Sequence, residues 1–250
     1  MSVTDAKRLA SIDALILPAP AADRSRVRAP YVILQILIAS AALLWLEMDG
    51  GNRLIADHLY AWQGGQWWLK DHFITRTLIH RGGKYLSLTL WFATFASWLY
   101  VRSRADLIAW RRPLLYLLLA PLIATFLVST LKSLTAIDCP WDMQGYGGTR
   151  PYFGLFDARP FGLRDSGCFP SGHASAGYCW LALYFFFGSV APRWRPIGLI
   201  IGLGLGLTFG IAQQLRGAHF ASHDIVTLLV CWLTAMALHI VLRPRTSTGH

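Results

Sequence analysis

Six apolar runs, near residues 31–48, 85–101, 113–131, 174–191, 197–212 and 225–242, divide this chain and leave it few ways to fold. Hydrocarbon offers no partner to backbone N–H and C=O groups, so a run that crosses a bilayer as an open chain must be a helix. Each run approaches the ~20 residues that cover the hydrocarbon core, the shorter ones extending into the interface at their ends. Hydrophobic residues make up 54% of the 250 and charged residues only 14%, which excludes an ordinary soluble domain. The formal charge of +10 does not point to nucleic acid, because the basic residues lie between the runs and not in one stripe. The expected fold is all-α, a six-transmembrane-helix bundle. Residues 1–28 are expected to form a cytoplasmic tail, 29–245 one membrane domain and 246–250 a second short tail. The apolar stretch from Ala14 to Leu17 is too short to be the core of a cleaved signal.

Orientation follows from lysine and arginine. With the amino terminus inside, the inner segments are both tails and the loops 102–112 and 192–196. These short segments hold Arg102, Arg104, Arg111, Arg112, Arg193 and Arg195 close to span ends, as the positive-inside rule requires. Between the first two runs, residues 50–84 mix Trp62, Trp67, Trp68 and Phe73 with Lys70, Asp71 and Arg76. That mixture fits interfacial helices lying on the outer leaflet, or an ordered loop packed on the bundle. His58, His72 and His80 in this stretch read as interfacial surface residues. Gly198, Gly202, Gly206 and Gly210 fall on one face of the fifth run and read as a packing stripe.

Three polar places share one membrane face in this topology: Lys132 to Pro140, Pro170 to His173, and Gln213 to Asp224. A serine and glycine at a helix start present unpaired N–H groups to an anion, favoured by the helix dipole. A histidine with a partner for its second nitrogen is a candidate nucleophile. Each has a plainer reading: Ser171 as a simple N-cap, Lys132 as a snorkelling interfacial lysine, His223 as a structural residue. Cys179 and Cys231 lie inside apolar runs and read as packing residues.

Together these motifs resemble the type 2 phosphatidic acid phosphatase superfamily of integral membrane lipid phosphatases. That family's pattern is Lys, six residues, Arg-Pro; then Pro-Ser-Gly-His; then Ser-Arg, five residues, His, three residues, Asp. Pro170-Ser171-Gly172-His173 matches in full. Lys132 is followed after six residues by Cys139-Pro140, so cysteine replaces arginine. With His219 as the family's histidine, Gln213 stands in the arginine position and His223 in the aspartate position, with Asp224 one place later. Two phosphate-clamping arginines are therefore missing. Arg216, three before His219, and Arg150, Arg159 or Arg164 in the long outer loop are the candidates to replace them.

The resemblance implies phosphoryl transfer through a phosphohistidine. His219 would attack phosphorus, and Asp224 or His223 would hold the ring's other nitrogen. Lys132, Arg216, Arg150, Ser171 and the N–H groups of Gly172 and His173 would bind the phosphate oxygens. His173 would protonate the leaving group and then activate water. No metal or cofactor is expected. The implied substrate is a lipid phosphate or diphosphate met at the outer face of a bacterial inner membrane. A lipid phosphotransferase of the same fold, a non-catalytic binding protein and a lipid transporter or scramblase are the alternatives. Cys139 and Cys168 flank the first two motifs, and both a disulfide and two free buried thiols remain open.

Overall fold

A computed structural model describes residues 29–158, 162 and 166–242. The two tails, Arg159 and Arg164 lie outside the described residues. What is described is helical, apart from loops and one isolated bridge between Met143 and Arg150. We number the α-helices α1 (Ala29–Met48), α2 (Gly51–Trp62), α3 (Gly82–Arg102), α4 (Ile108–Thr135), α5 (Gly172–Tyr178), α6 (Ala182–Val190), α7 (Arg195–Leu215) and α8 (Ala221–Val241). A single 3₁₀ turn, Cys179–Leu181, joins α5 to α6, and a π-helical segment, Phe73–Arg81, runs directly into α3.

Helix occurs at all six apolar runs. Four helical stretches are long and apolar enough to cross a membrane: Pro30–Met48, Ile108–Asp142, Pro192–Leu215 and Ala221–Val241. The second run forms α3, whose apolar residues are diluted by Lys84, Ser87, Thr89, Thr94 and Ser97. The fourth is the compound rod α5–α6, cut by its 3₁₀ turn. Large apolar side chains such as Ile33, Leu37, Phe92, Phe126 and Ile200 face outward, as a surface against hydrocarbon requires.

The core lies between α4, the α5–α6 rod, α7 and α8, around Val128, Tyr178, Trp180, Leu181, Phe185 and Cys231. The glycine stripe decides how close the rod and α7 come. A Cβ on Gly198 or Gly202 would stand 2.5–2.6 Å from backbone of Leu183 or Leu181. One on Gly206 would collide with the Tyr178 ring, and one on Gly210 would stand 2.6 Å from Asp224 Oδ2. Two of the four glycines thus bring two backbones together, the third makes room for an aromatic ring and the fourth for a carboxylate.

Residues 50–84 are largely helical and pack on the bundle. Gln63 donates to the Leu215 carbonyl (3.0 Å), and the Trp67 indole donates to the Tyr146 carbonyl (3.1 Å). Ala56 joins Met143, Tyr146 and Phe220 in a small apolar cluster. The stretch closes one end of the bundle, and the motif residues lie beneath it.

Candidate active site

Lys132 sits in the last turn of α4, which Ala136 ends in the left-handed conformation (φ 49°). Its side chain runs past the start of α5: a Cβ on Gly172 would lie 3.7 Å from Lys132 Nζ. The chain on either side is fixed. Thr135 Oγ1 donates to the Phe169 carbonyl (2.5 Å), and Cys168 N–H donates to the Ile137 carbonyl (2.9 Å). Cys139 and Cys168 are joined by a disulfide with Cα atoms 5.2 Å apart. Lysine and Pro-Ser-Gly-His therefore face each other across a covalently closed corner.

The start of α8 meets the same corner. Ser171 N–H donates to the His223 carbonyl (3.3 Å), and Thr227 Oγ1 donates to the Ser171 carbonyl (3.2 Å). His219 Nδ1 and His223 Nδ1 are 3.3 Å apart, and the Cys168 backbone hydrogen-bonds with both rings. Asn52 of α2 clamps this turn. Its Nδ2 donates to Ser222 Oγ (2.9 Å) and its Oδ1 accepts from Ser222 N–H (3.1 Å). A cavity of about 10 Å³ on the α2 side of His219 is lined by Asn52, Trp67, Gln214 and Phe220.

Asp224 takes a different place from the one sequence allowed it. Its Oδ2 accepts from Gln214 Nε2 (2.5 Å), while the His219 ring meets His223 and the Cys168 backbone. Asp224 Oδ1 and the Ser171 hydroxyl are buried near one another, each without a hydrogen bond of good geometry. Ser171 is at the N-cap position, but its side chain makes no capping bond.

A second knot forms around His173. Its ring hydrogen-bonds with the Ile79 backbone, while Nε2 is buried without a partner. The His80 ring packs on it with centroids 4.2 Å apart, and Phe209 approaches at 5.1 Å. His80 Nδ1 is 3.1 Å from Gln213 Nε2, and Gln213 Oε1 accepts from Arg216 Nη1 (3.1 Å). Arg216 Nε donates to the Lys70 carbonyl (2.8 Å), so the guanidinium is held at both ends. The reading of His80 as an interfacial surface residue is corrected by these contacts. Nothing in the sequence separated it from His58, which is exposed, or His72; only the π-helical turn before α3 brings its ring inward.

Arg150 pairs with Asp138, a fully buried carboxylate in the segment before Cys139. The electrostatics favour an anion. Burial, then Arg216, Lys84, Arg81 and Lys132, hold the His80 ring below its ordinary imidazole value. Burial, then His223 and Lys132, hold His219 well below it. Both are neutral at neutral pH, so the positive charge of the corner comes from lysine and arginine. Among the described residues no group of three or more His, Cys, Asp and Glu could hold a metal ion.

The family model of the PAP2 superfamily matches residues 113–247, and the chain belongs to that superfamily. No curated protein and no solved structure matches it. The matched region holds Lys132, Ser171, His173, Arg216, His219 and His223; Asn52 and His80 lie outside it.

Proposed function

We propose that this member of the PAP2 superfamily is an integral membrane phosphatase that removes phosphate from a lipid phosphate or diphosphate through a phosphohistidine. Superfamily membership supports phosphoester hydrolysis; the lipid and the mechanism are our reading. One observation carries it. Lys132, the turn at Ser171–His173 and the His219–His223 pair, far apart in sequence, meet at one buried corner.

The chemistry follows from who can give and take protons. Attack through His219 Nε2 needs a lone pair there, which puts the ring proton on Nδ1. The Cys168 carbonyl and His223 Nδ1, the latter 3.3 Å away, are the groups placed to accept it and fix the tautomer. They thus do the orienting that a carboxylate would do, without adding charge. Lys132, Arg216 and the N–H groups at the start of α5 stabilise the charge on the phosphoryl oxygens. His173, which keeps one proton on the nitrogen facing the Ile79 backbone, takes a second onto unpartnered Nε2 as the phosphate anion binds; it gives that proton to the leaving oxygen and regains it from the water that cleaves the phosphohistidine.

The apolar runs at α3 and α5–α6 complete a six-span bundle in this reading, with the site at the outer face of a bacterial inner membrane. A cysteine introduced at exposed Gln144 should react with an impermeant thiol reagent on intact cells, and one at Ser103 should stay protected until the cells are opened; the reverse pattern would invert the topology. For the activity, purified protein in detergent is given phosphatidic acid, phosphatidylglycerophosphate and undecaprenyl diphosphate without added metal. Phosphate release, lost in His219→Ala together with an acid-labile phosphoprotein, is the expected result. Release by His219→Ala at the unmutated rate would refute the nucleophile.

A further inference from the structure

The amide between Arg216 and His80 has only one chemically consistent orientation. A guanidinium donates and cannot accept, so the end of Gln213 facing Arg216 Nη1 must be the oxygen. The end facing His80 is then the NH₂ group, 3.1 Å from Nδ1. That nitrogen must accept, so it carries no proton. The proton of neutral His80 therefore sits on Nε2, and no other described residue takes a hydrogen bond from the ring. Arg216, Lys84, Arg81 and Lys132 are near enough to disfavour a charge on it, and the His173 ring packs against it at a tilt, so a second proton on Nδ1 would meet both the amide and these cations.

We propose that His80 is a neutral hydrogen-bond donor to the substrate phosphate, presented beside His173 through its Nε2–H and held in that tautomer by the Arg216–Gln213 chain. The element that supplies it is the π-helical segment Phe73–Arg81, outside the region that defines the superfamily. The amide couples two side chains, one charged and one neutral. His80 touches the phosphate in this scheme, so it is a binding residue of the site. The inference rests on the proposed function for its ligand, a phosphate group, but not for the bond that is broken.

Inorganic phosphate binding to the detergent-purified protein tests it by calorimetry, with release of phosphate from lipid measured in parallel. His80→Phe keeps a flat ring against His173 and loses the donor; it should weaken phosphate binding about tenfold or more, as loss of a bond to a charged group does. His80→Gln returns an N–H near the Nε2 position and should recover most of the affinity, while His58→Phe, on the exposed face of α2, should change nothing. Binding that depends on His80 without lipid phosphate hydrolysis would remove the proposed activity and leave this inference standing. Equal affinity in unmutated protein and His80→Phe, or no phosphate binding at all, would overturn it. If His80→Phe does not fold, ¹⁵N spectra of the histidine rings in unmutated protein decide: Nε2–H on His80 is expected, and Nδ1–H overturns the proposal.

Discussion

The two ends of α8 each bury a histidine, and they could hardly be less alike. At its start, His223 is 2% exposed, and within one turn stand Ser222, Asp224 and Thr227, all buried. Asn52, Gln214, Ser171 and His219 reach them from four other segments. At its far end, His239 is also buried, and there the rings of Tyr116 and Phe185 pack on it, one turn from Ala235 of the apolar core. Burial alone does not make a histidine chemical. What distinguishes the first end is that polar groups from distant segments converge on it at the cost of desolvating each one, which a fold tolerates only when the groups satisfy one another or wait for a ligand.

The sharpest way to break this comparison is to exchange the fates of the two histidines. His219→Ala and His173→Ala should lower turnover by roughly 10³-fold or more, as loss of a nucleophile or its acid does. His239→Phe should leave turnover within about twofold, a surface-like response in activity even where stability changes. Equal losses at both ends in folded protein would erase the distinction.

The disulfide gives the next largest effect, this time on stability. It closes a loop of sequence separation 29 at the site end only. Cys139→Ser with Cys168→Ser should lower unfolding free energy by about 3 kcal/mol, read as a lower midpoint in thermal unfolding in detergent. The same double exchange at Cys179 and Cys231, both free and buried, should show packing losses alone.

Arg216→Ala should reduce turnover about 10²-fold, the usual penalty for one transition-state donor. Gln213→Ala should cost less, about tenfold, because Gln213 holds its neighbours and brings no charge of its own. Parity between the two would mean that the guanidinium is not at the phosphate.

The smallest effect is a dependence on pH. His219 and His80 titrate below the ordinary imidazole value in the folded chain, so beneath about pH 6.5 the unfolded chain binds more protons than the folded one. Stability is complete above that range and declines as pH falls through it. His80→Phe should flatten part of the slope in acid unfolding curves; an unchanged slope would mean that this ring is not sheltered in solution.

How much of this was legible beforehand depends on the period of the signal. Apolar runs announce helices one at a time, and Pro-Ser-Gly-His with a lysine upstream and a histidine downstream announces the corner, because each motif is local. Three features were not local. His80 comes inward only because the chain before α3 winds as a π-helix. Asn52 matters only because Ser222 stands opposite it, 170 residues later. The choice between His223 and Asp224 turns on a single residue of helical phase: position 223 faces His219, while position 224 points across to Gln214 and into the space left by Gly210. Sequence could name both candidates but could not rotate the helix.

The glycine stripe of α7 has a consequence for traffic. Where Gly198 and Gly202 let backbone rest on backbone and Gly206 receives the Tyr178 ring, the seam between α7 and the α5–α6 rod is too tight to admit even a methyl group. No acyl chain can slide along it. Any tailed molecule that brings its headgroup to His173 must come in by another flank, and beside Lys132 the α4 residues Leu131 and Leu134 lie exposed, greasy ground within a helical turn of the ammonium. The same glycines that seat α7 on the α5–α6 rod thus settle which doorway is bricked up.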